Sequence, residues 1–286
     1  MQGKIETTKN NIRGRKVLTA KFDSCSAFAD ACTSLKAGHG ADPSWWGGDS
    51  RSALLKMCNT GDDRFVAAAE AMLEKINAEI EIPRPQWQPQ VYGAFPIVPE
   101  ALAGEIECMR MLSTPEEEST PVRVFYDPTS SAVIDAKDLQ ARGSAVLALV
   151  MALTAIRPVE LWVFTDLDAH GKDHANVMVR VETTPLMVSE ACYMLCNPGF
   201  VRCLLYGYAE KTMGFGGMWG FGDYCADATE RARVMADSLQ ARPTDLVIPG
   251  ISARDDMVKD PIGWVNKQLS KMVHVREHGG WDAEEV

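Results

Sequence analysis

Absences narrow this 286-residue chain first. It has no uninterrupted apolar run near the roughly 18 residues that a membrane-spanning helix needs. Its opening residues, Met1-Gln2-Gly3-Lys4-Ile5-Glu6, lack the apolar core of a signal peptide. These two absences predict a protein that touches no membrane and stays in a cytoplasm. None of its eight cysteines forms a C-x-x-C pair, so the usual spacing of a structural zinc site is missing. Cys58, Cys108, Cys192, Cys196 and Cys203 fall within apolar or helical segments and read as reduced core residues. A phosphate loop is missing as well. The Gly-rich stretch MGFGGMWGFGD has no Lys-Ser/Thr, and the G-x-G-x-x-G frame that opens at Gly214 and Gly216 ends on Trp219. Its aromatic residues Phe215, Trp219 and Phe221 suit anchors, either packed on the body or offered to a partner.

What is present is ordinary for a folded chain: 46% hydrophobic and 24% charged residues. The net charge of −10 argues against a coat on duplex DNA, because phosphate neutralisation needs cations. The charge is uneven, however. Residues 1–21 hold Lys4, Lys9, Arg13, Arg15, Lys16 and Lys21 against Glu6 alone, six cations less one acid, or +5, which leaves −15 on the remainder. This segment reads as a basic flexible arm able to touch nucleic acid or an acidic partner.

Residues 22–90 read as a helical lead-in that ends in a Pro-rich connector. Phe65, Ala68, Ala69, Met72, Leu73 and Ile76 recur at helical steps, and Pro83, Pro85 and Pro89 then forbid helix. Residues 91–286 alternate strand and helix signals, as an α/β domain does. VRVFY is a strand, and Leu139, Val146, Leu149, Val150 and Leu153 form the stripe of the helix after it. VELWVF and NVMVRVE are two strands joined by a loop too short for a crossover helix, so they pair antiparallel and the second is expected at a sheet edge. TTPLMVSEACYMLCNPG reads as a helix and FVRCLLYGYAE as a buried strand. The predicted fold is a mostly parallel central sheet with one antiparallel edge strand and helices on both faces, preceded by a small helical segment.

Asp127-Pro128-Thr129-Ser130-Ser131 follows the first strand of this order. Motif and order together resemble the von Willebrand factor A domain, whose D-x-S-x-S motif stands at that place. The resemblance implies a Mg²⁺ reached by Asp127, Thr129 and Ser131, completed by Thr184 and by Glu210, which stands where the family has an aspartate. It also implies a non-enzymatic adaptor that docks a protein partner at the carboxyl edge of the sheet, in some members an AAA+ ATPase. Mg²⁺ favours hard oxygen ligands and keeps several waters, which suits that donor set. SWWGGDSRSALLKM, VYGAFPIVPEALAGEIECM, ARGSAVLALVMAL and DLVIPGISARDD resemble an uncharacterised bacteriophage-encoded family, which implies an intracellular role in the host cytoplasm.

A rival site is the loop FTDLDAHGKDH, where Asp166, Asp168, His170, Asp173 and His174 crowd together. Carboxylates with imidazoles can hold a divalent metal and activate water, so the alternative is a metal-dependent hydrolase acting on nucleotides or nucleic acid. A polar hairpin between two strands needs no function at all. The third possibility is a structural virion or assembly component that packs against its own copies.

Overall fold

The computed structural model describes residues 5–12, 15–35, 43–79, 86–113, 121–130, 134–155, 158–169, 173–214, 228–251 and 259–278. The chain opens with a hairpin, β1 (Ile5–Ile12) and β2 (Arg15–Phe22), paired antiparallel with Ile5 opposite Phe22. This corrects the expectation of a basic arm over residues 1–21. Val17, Ala20 and Phe22 are buried among the cations, so the segment has apolar surface to bury and pairs as a strand. Counting charge alone concealed that.

Helices follow: α1 (Cys25–Thr33), α2 (Arg51–Thr60) and α3 (Val66–Glu79). Ser24 and Ser50 cap α1 and α2 by accepting from Ala27 N and Ala53 N, each at 3.2 Å. These helices do not form a lead-in apart from the rest. Phe28, Leu54 and Ala69 lie in the same buried cluster as Val124 and Leu149 from the later strands and helices.

A small sheet comes next, built from β3 (Gln86–Gln90), β4 (Phe95–Pro96) and β5 (Met109–Ser113) in the order β3-β5-β4, with α4 (Val98–Ala103) between the last two. Pro89 sits on an edge strand, where a missing N–H costs no ladder bond.

The remaining elements are β6 (Val122–Tyr126), α5 (Ala136–Thr154), β7 (Val159–Ala169), β8 (Asp173–Val181) and α6 (Val188–Cys196), then α7 over 200–213, α8 (Ala228–Leu239), β9 (Leu246–Ile248) and α9 (Pro261–His278). The main sheet has six strands in the order β1-β2-β8-β7-β6-β9. Its β2/β8, β7/β6 and β6/β9 pairs are parallel, and its β1/β2 and β7/β8 pairs antiparallel. The result is a mixed α/β protein with a mostly parallel sheet flanked by helices. β8 is not the edge strand that the short connection predicted. β2 takes its free side, and no local pattern in NVMVRVE announces a partner from the other end of the chain.

The stretch expected as a buried strand, residues 200–208, is helical. Wide turns run from Phe200 to Leu205, and Tyr206 N–H reaches the Val201 carbonyl five residues back. Phe200 to Ala209 are all buried, so no amphipathic period marks them as helix. Asn197 opens this segment, its Oδ1 accepting from Gly199 N at 2.8 Å.

The larger core lies on one face of the sheet, where α5 packs against α3, α6 and α9. The other face carries a smaller cluster, Phe125, Phe164 and Met178, beneath Met235 and Leu239 of α8. Among the described residues, no helix is long and apolar enough to cross a membrane.

Candidate functional site

β6 delivers the Asp127 turn to the carboxyl edge of the sheet, and the turn is closed. Asp127 is fully buried and Thr129 nearly so. The Asp127 backbone N–H donates to the Ile248 carbonyl at 2.9 Å, and Thr129 N–H donates to Asp127 Oδ1 at 2.8 Å, an Asx turn. Arg142 of α5 is buried too. Its Nη1 donates to the Asp127 carbonyl at 2.8 Å, its Nη2 to the Pro249 carbonyl, and its Cζ lies 4.6 Å from the centre of the Tyr126 ring. Gly250 shuts the remaining side: a β-carbon there would stand 2.4 Å from Thr129 Oγ1 and 3.1 Å from Asp127 Oδ2. Arg202 ties the end of the turn down, donating to Ser130 Oγ at 3.5 Å and to the Ile134 and Trp45 carbonyls at 3.0 and 2.7 Å.

This set does not fit Mg²⁺. The ion keeps several waters, yet the turn is buried, Gly250 backs directly onto it, and the Asp127 carbonyl already accepts from the Arg142 guanidinium. The other residues implied by the resemblance are not assembled around it. Thr184 follows Thr183, whose Oγ1 donates to the Val159 carbonyl at the amino end of β7, the opposite edge of the sheet from Asp127. Glu210 sits on a helical segment rather than at a strand end, and Lys211 Nζ donates to its Oε1 at 2.8 Å. Ser131 lies outside the described residues, as do Phe215, Trp219, Phe221 and His170.

The charged hairpin lies where the parallel pairing of β6 and β7 puts it, at the same edge as Asp127. The last β6 pair is Tyr126 with Val163, so β7 runs on past β6 and carries Asp166 and Asp168 beyond it. Across the ladder Asp166 is opposite Asn176, Asp168 opposite His174, and Ala169 opposite Asp173. Among residues whose side chains are described, no group of three His, Cys, Asp or Glu is placed to hold a metal ion.

Other buried carboxylates serve structure. Asp62 accepts from Arg64 Nε at 2.8 Å, from Arg64 Nη2 at 2.7 Å and from Asn197 Nδ2 at 3.1 Å. Asp245 is clasped by Arg123 Nε at 3.0 Å and Arg242 Nη2 at 2.9 Å. Burial pushes both carboxyls up, but these arginine bonds prevail and hold each below the usual carboxylate range.

The exposed feature is the small sheet. Val91, Tyr92, Phe95, Val98, Leu102 and Ile106 are 58 to 84% exposed. A recess of about 520 Å³ opens there between Phe95, Val98 and Arg110. Among the residues of this sheet whose side chains are described, none belongs to a buried cluster. Sequence reasoning missed it because VYGAFPIVPEALAGEIECM has neither a clean strand nor a clean helix period. It missed Arg142 too, although an arginine on a stripe with Leu139 and Val146 signals a buried cation that needs partners.

Fold and site together define an α/β sheet protein with a sealed, arginine-bound loop at its carboxyl edge and a separate exposed apolar surface. The chain belongs to the family described as Domain of unknown function (DUF7192), whose model matches residues 4–273. No curated protein and no solved structure matches it.

Proposed function

We propose that the protein is a non-enzymatic interaction module that holds a protein partner on the surface formed by residues 91–110. The supporting observation is the exposure of six large apolar side chains there, grouped along one short stretch of chain. Contiguous exposed apolar surface marks interaction sites, whereas scattered single residues do not. A three-stranded sheet also needs an apolar face packed on something to be stable. Glu100, Glu105 and Glu107 flank the surface against Arg110 alone, so the partner we expect is a segment with an aliphatic or aromatic face and lysine or arginine at its borders.

This reading keeps the adaptor role implied by the von Willebrand A resemblance and moves it from the Asp127 edge to the small sheet. The resemblance to phage-encoded proteins would place the partner in an infected bacterium. The test compares the full chain with the triple variant Tyr92→Asp/Phe95→Asp/Leu102→Asp, by crosslinking in the producing cell and by light scattering on the purified proteins. The expected result is a crosslinked protein that the variant loses while its melting temperature holds. The same crosslinked set with both proteins overturns the reading, and self-association lost in the variant replaces it with assembly between copies.

A further inference from the structure

The two edges of the main sheet are built differently. β9 is three residues long and α8 packs beside it. β1 is eight residues long, contains no proline, and keeps an unbroken register with β2 from Ile5 to Ile12. Short strands, proline, bulges and a covering helix are the usual ways to blunt a sheet edge. Among the described residues, nothing pairs with the outer side of β1, and α1 packs over β2 and β8, inboard of it. Every second residue of β1 therefore aims its N–H and C=O away from the sheet. One guard is present: Lys9, exposed in mid-strand. Lys9 stands opposite Leu18, and Lys16, also exposed, is two residues from Leu18 and so on the same face. The two lysines are thus diagonal neighbours across the hairpin, roughly 7–8 Å apart. They belong to the segment that carries +5 against −15 on the remainder of the chain.

We propose that β1 accepts one further strand, an extended segment of a protein partner whose alternate residues are acidic. Main-chain bonds to the outward N–H and C=O groups supply the attachment, and alternate side chains supply the choice of partner. A residue opposite Lys9 in the added strand lies on the face that carries Lys16, so a carboxylate there meets both ammonium groups. The same charge argues against a second copy of this chain as the occupant. An antiparallel two-fold pairing brings two hairpins of net positive charge side by side, and like charges facing each other destabilise a ladder. A lysine edge thus rejects its own copies while selecting an acidic strand. The inference is independent of the small sheet, whose strands form a separate ladder.

The test titrates the full chain into a fluorescein-labelled heptapeptide of alternating valine and glutamate, read by fluorescence anisotropy. Beside it run the valine–lysine counterpart, the valine–glutamate peptide N-methylated along its backbone, and a labelled oligothymidylate. Saturable binding of the acidic peptide is expected, with each of the other probes at least tenfold weaker. N-methylation keeps the charges and removes the main-chain donors, so it separates an added strand from simple attraction between charges. Lys9→Glu/Lys16→Glu should weaken the acidic peptide at least tenfold and strengthen the lysine peptide. Circular dichroism checks that this variant folds, and Lys9→Gln/Lys16→Gln takes its place if it does not. Tyr92→Asp/Phe95→Asp/Leu102→Asp, on the small sheet, should bind the acidic peptide as the wild type does. Absence of saturable binding of the acidic peptide, equal binding of its N-methylated form, binding unaffected by the lysine variants, binding lost with the small-sheet variant, or tighter binding of the oligothymidylate would each overturn the proposal.

Discussion

Arg142 Nη1 donates to the main-chain carbonyl of Asp127 at 2.8 Å, while Nη2 of the same guanidinium reaches the carbonyl of Pro249, 107 residues away from the arginine in sequence. One planar fork thus joins the end of β6, helix α5 and the loop after β9. Arg142→Leu leaves those buried carbonyls without their donor, and the expected loss is about 1–3 kcal/mol for each carbonyl left unmet. Arg142→Lys should recover little, because an ammonium cannot span two carbonyls as the fork does. Urea unfolding of the three proteins checks both expectations.

Gly143, the next residue, lies where α5 backs tightly onto the end of α6. A β-carbon there would stand 2.2 Å from the Leu195 carbonyl oxygen. In an isolated helix, alanine for glycine gains about 1 kcal/mol. Here Gly143→Ala is expected to cost about 2–3 kcal/mol through overpacking, so the sign of the change in denaturation midpoint decides it.

Asp245 makes a prediction about pH. Burial raises its carboxyl, but bonds from Arg123 and Arg242 outweigh that and hold the folded-state pKa below the unfolded value. The ionised pair therefore stabilises fully above about pH 4, the ordinary range of an aspartate, and is lost as pH falls through the depressed value. Asp245→Asn should cost about 3 kcal/mol at pH 7. Denaturant midpoints from pH 6 down to pH 3 should show the gap between wild type and variant closing.

The cysteines predict a labelling order. Of the seven described, Cys108 is half-buried and the other six are buried in the core. Burial pushes the Cys32 thiol up to about 12 and the Cys203 thiol up to about 11, which suppresses the reactive thiolate. With Ellman's reagent, Cys108 should react in the native protein, and the buried six only as denaturant unfolds it. Mass spectrometry of the labelled peptides reads the order.

Leu102 and Ile106 are 84% and 76% exposed. Leu102→Ser/Ile106→Ser should change stability by less than about 0.5 kcal/mol and reduce binding of a hydrophobic dye to the native chain. A large fall in melting temperature would mean instead that these side chains are packed in solution.

The sequence by itself determined the α/β class, the strand–turn–helix unit from Val122 to Thr154, the antiparallel pairing of β7 with β8 and the buried stripe of α5. Each follows from a local period, a short connection or a turn residue, which neighbouring amino acids specify. Only the tertiary structure decided the rest. A charged N-terminal segment became β1 and β2 because a free side of β8, more than 150 residues away, could pair with it. A mostly apolar run, broken by Arg202, became helix α7 with Phe200 to Ala209 all buried. The Asp127 turn carried residues that suit a metal in sequence, but Arg142 from the helix after it and Gly250 from the loop after β9 close it. Local chemistry proposes what a stretch of chain can do, and long-range packing, with the burial it imposes, selects which of those possibilities survives.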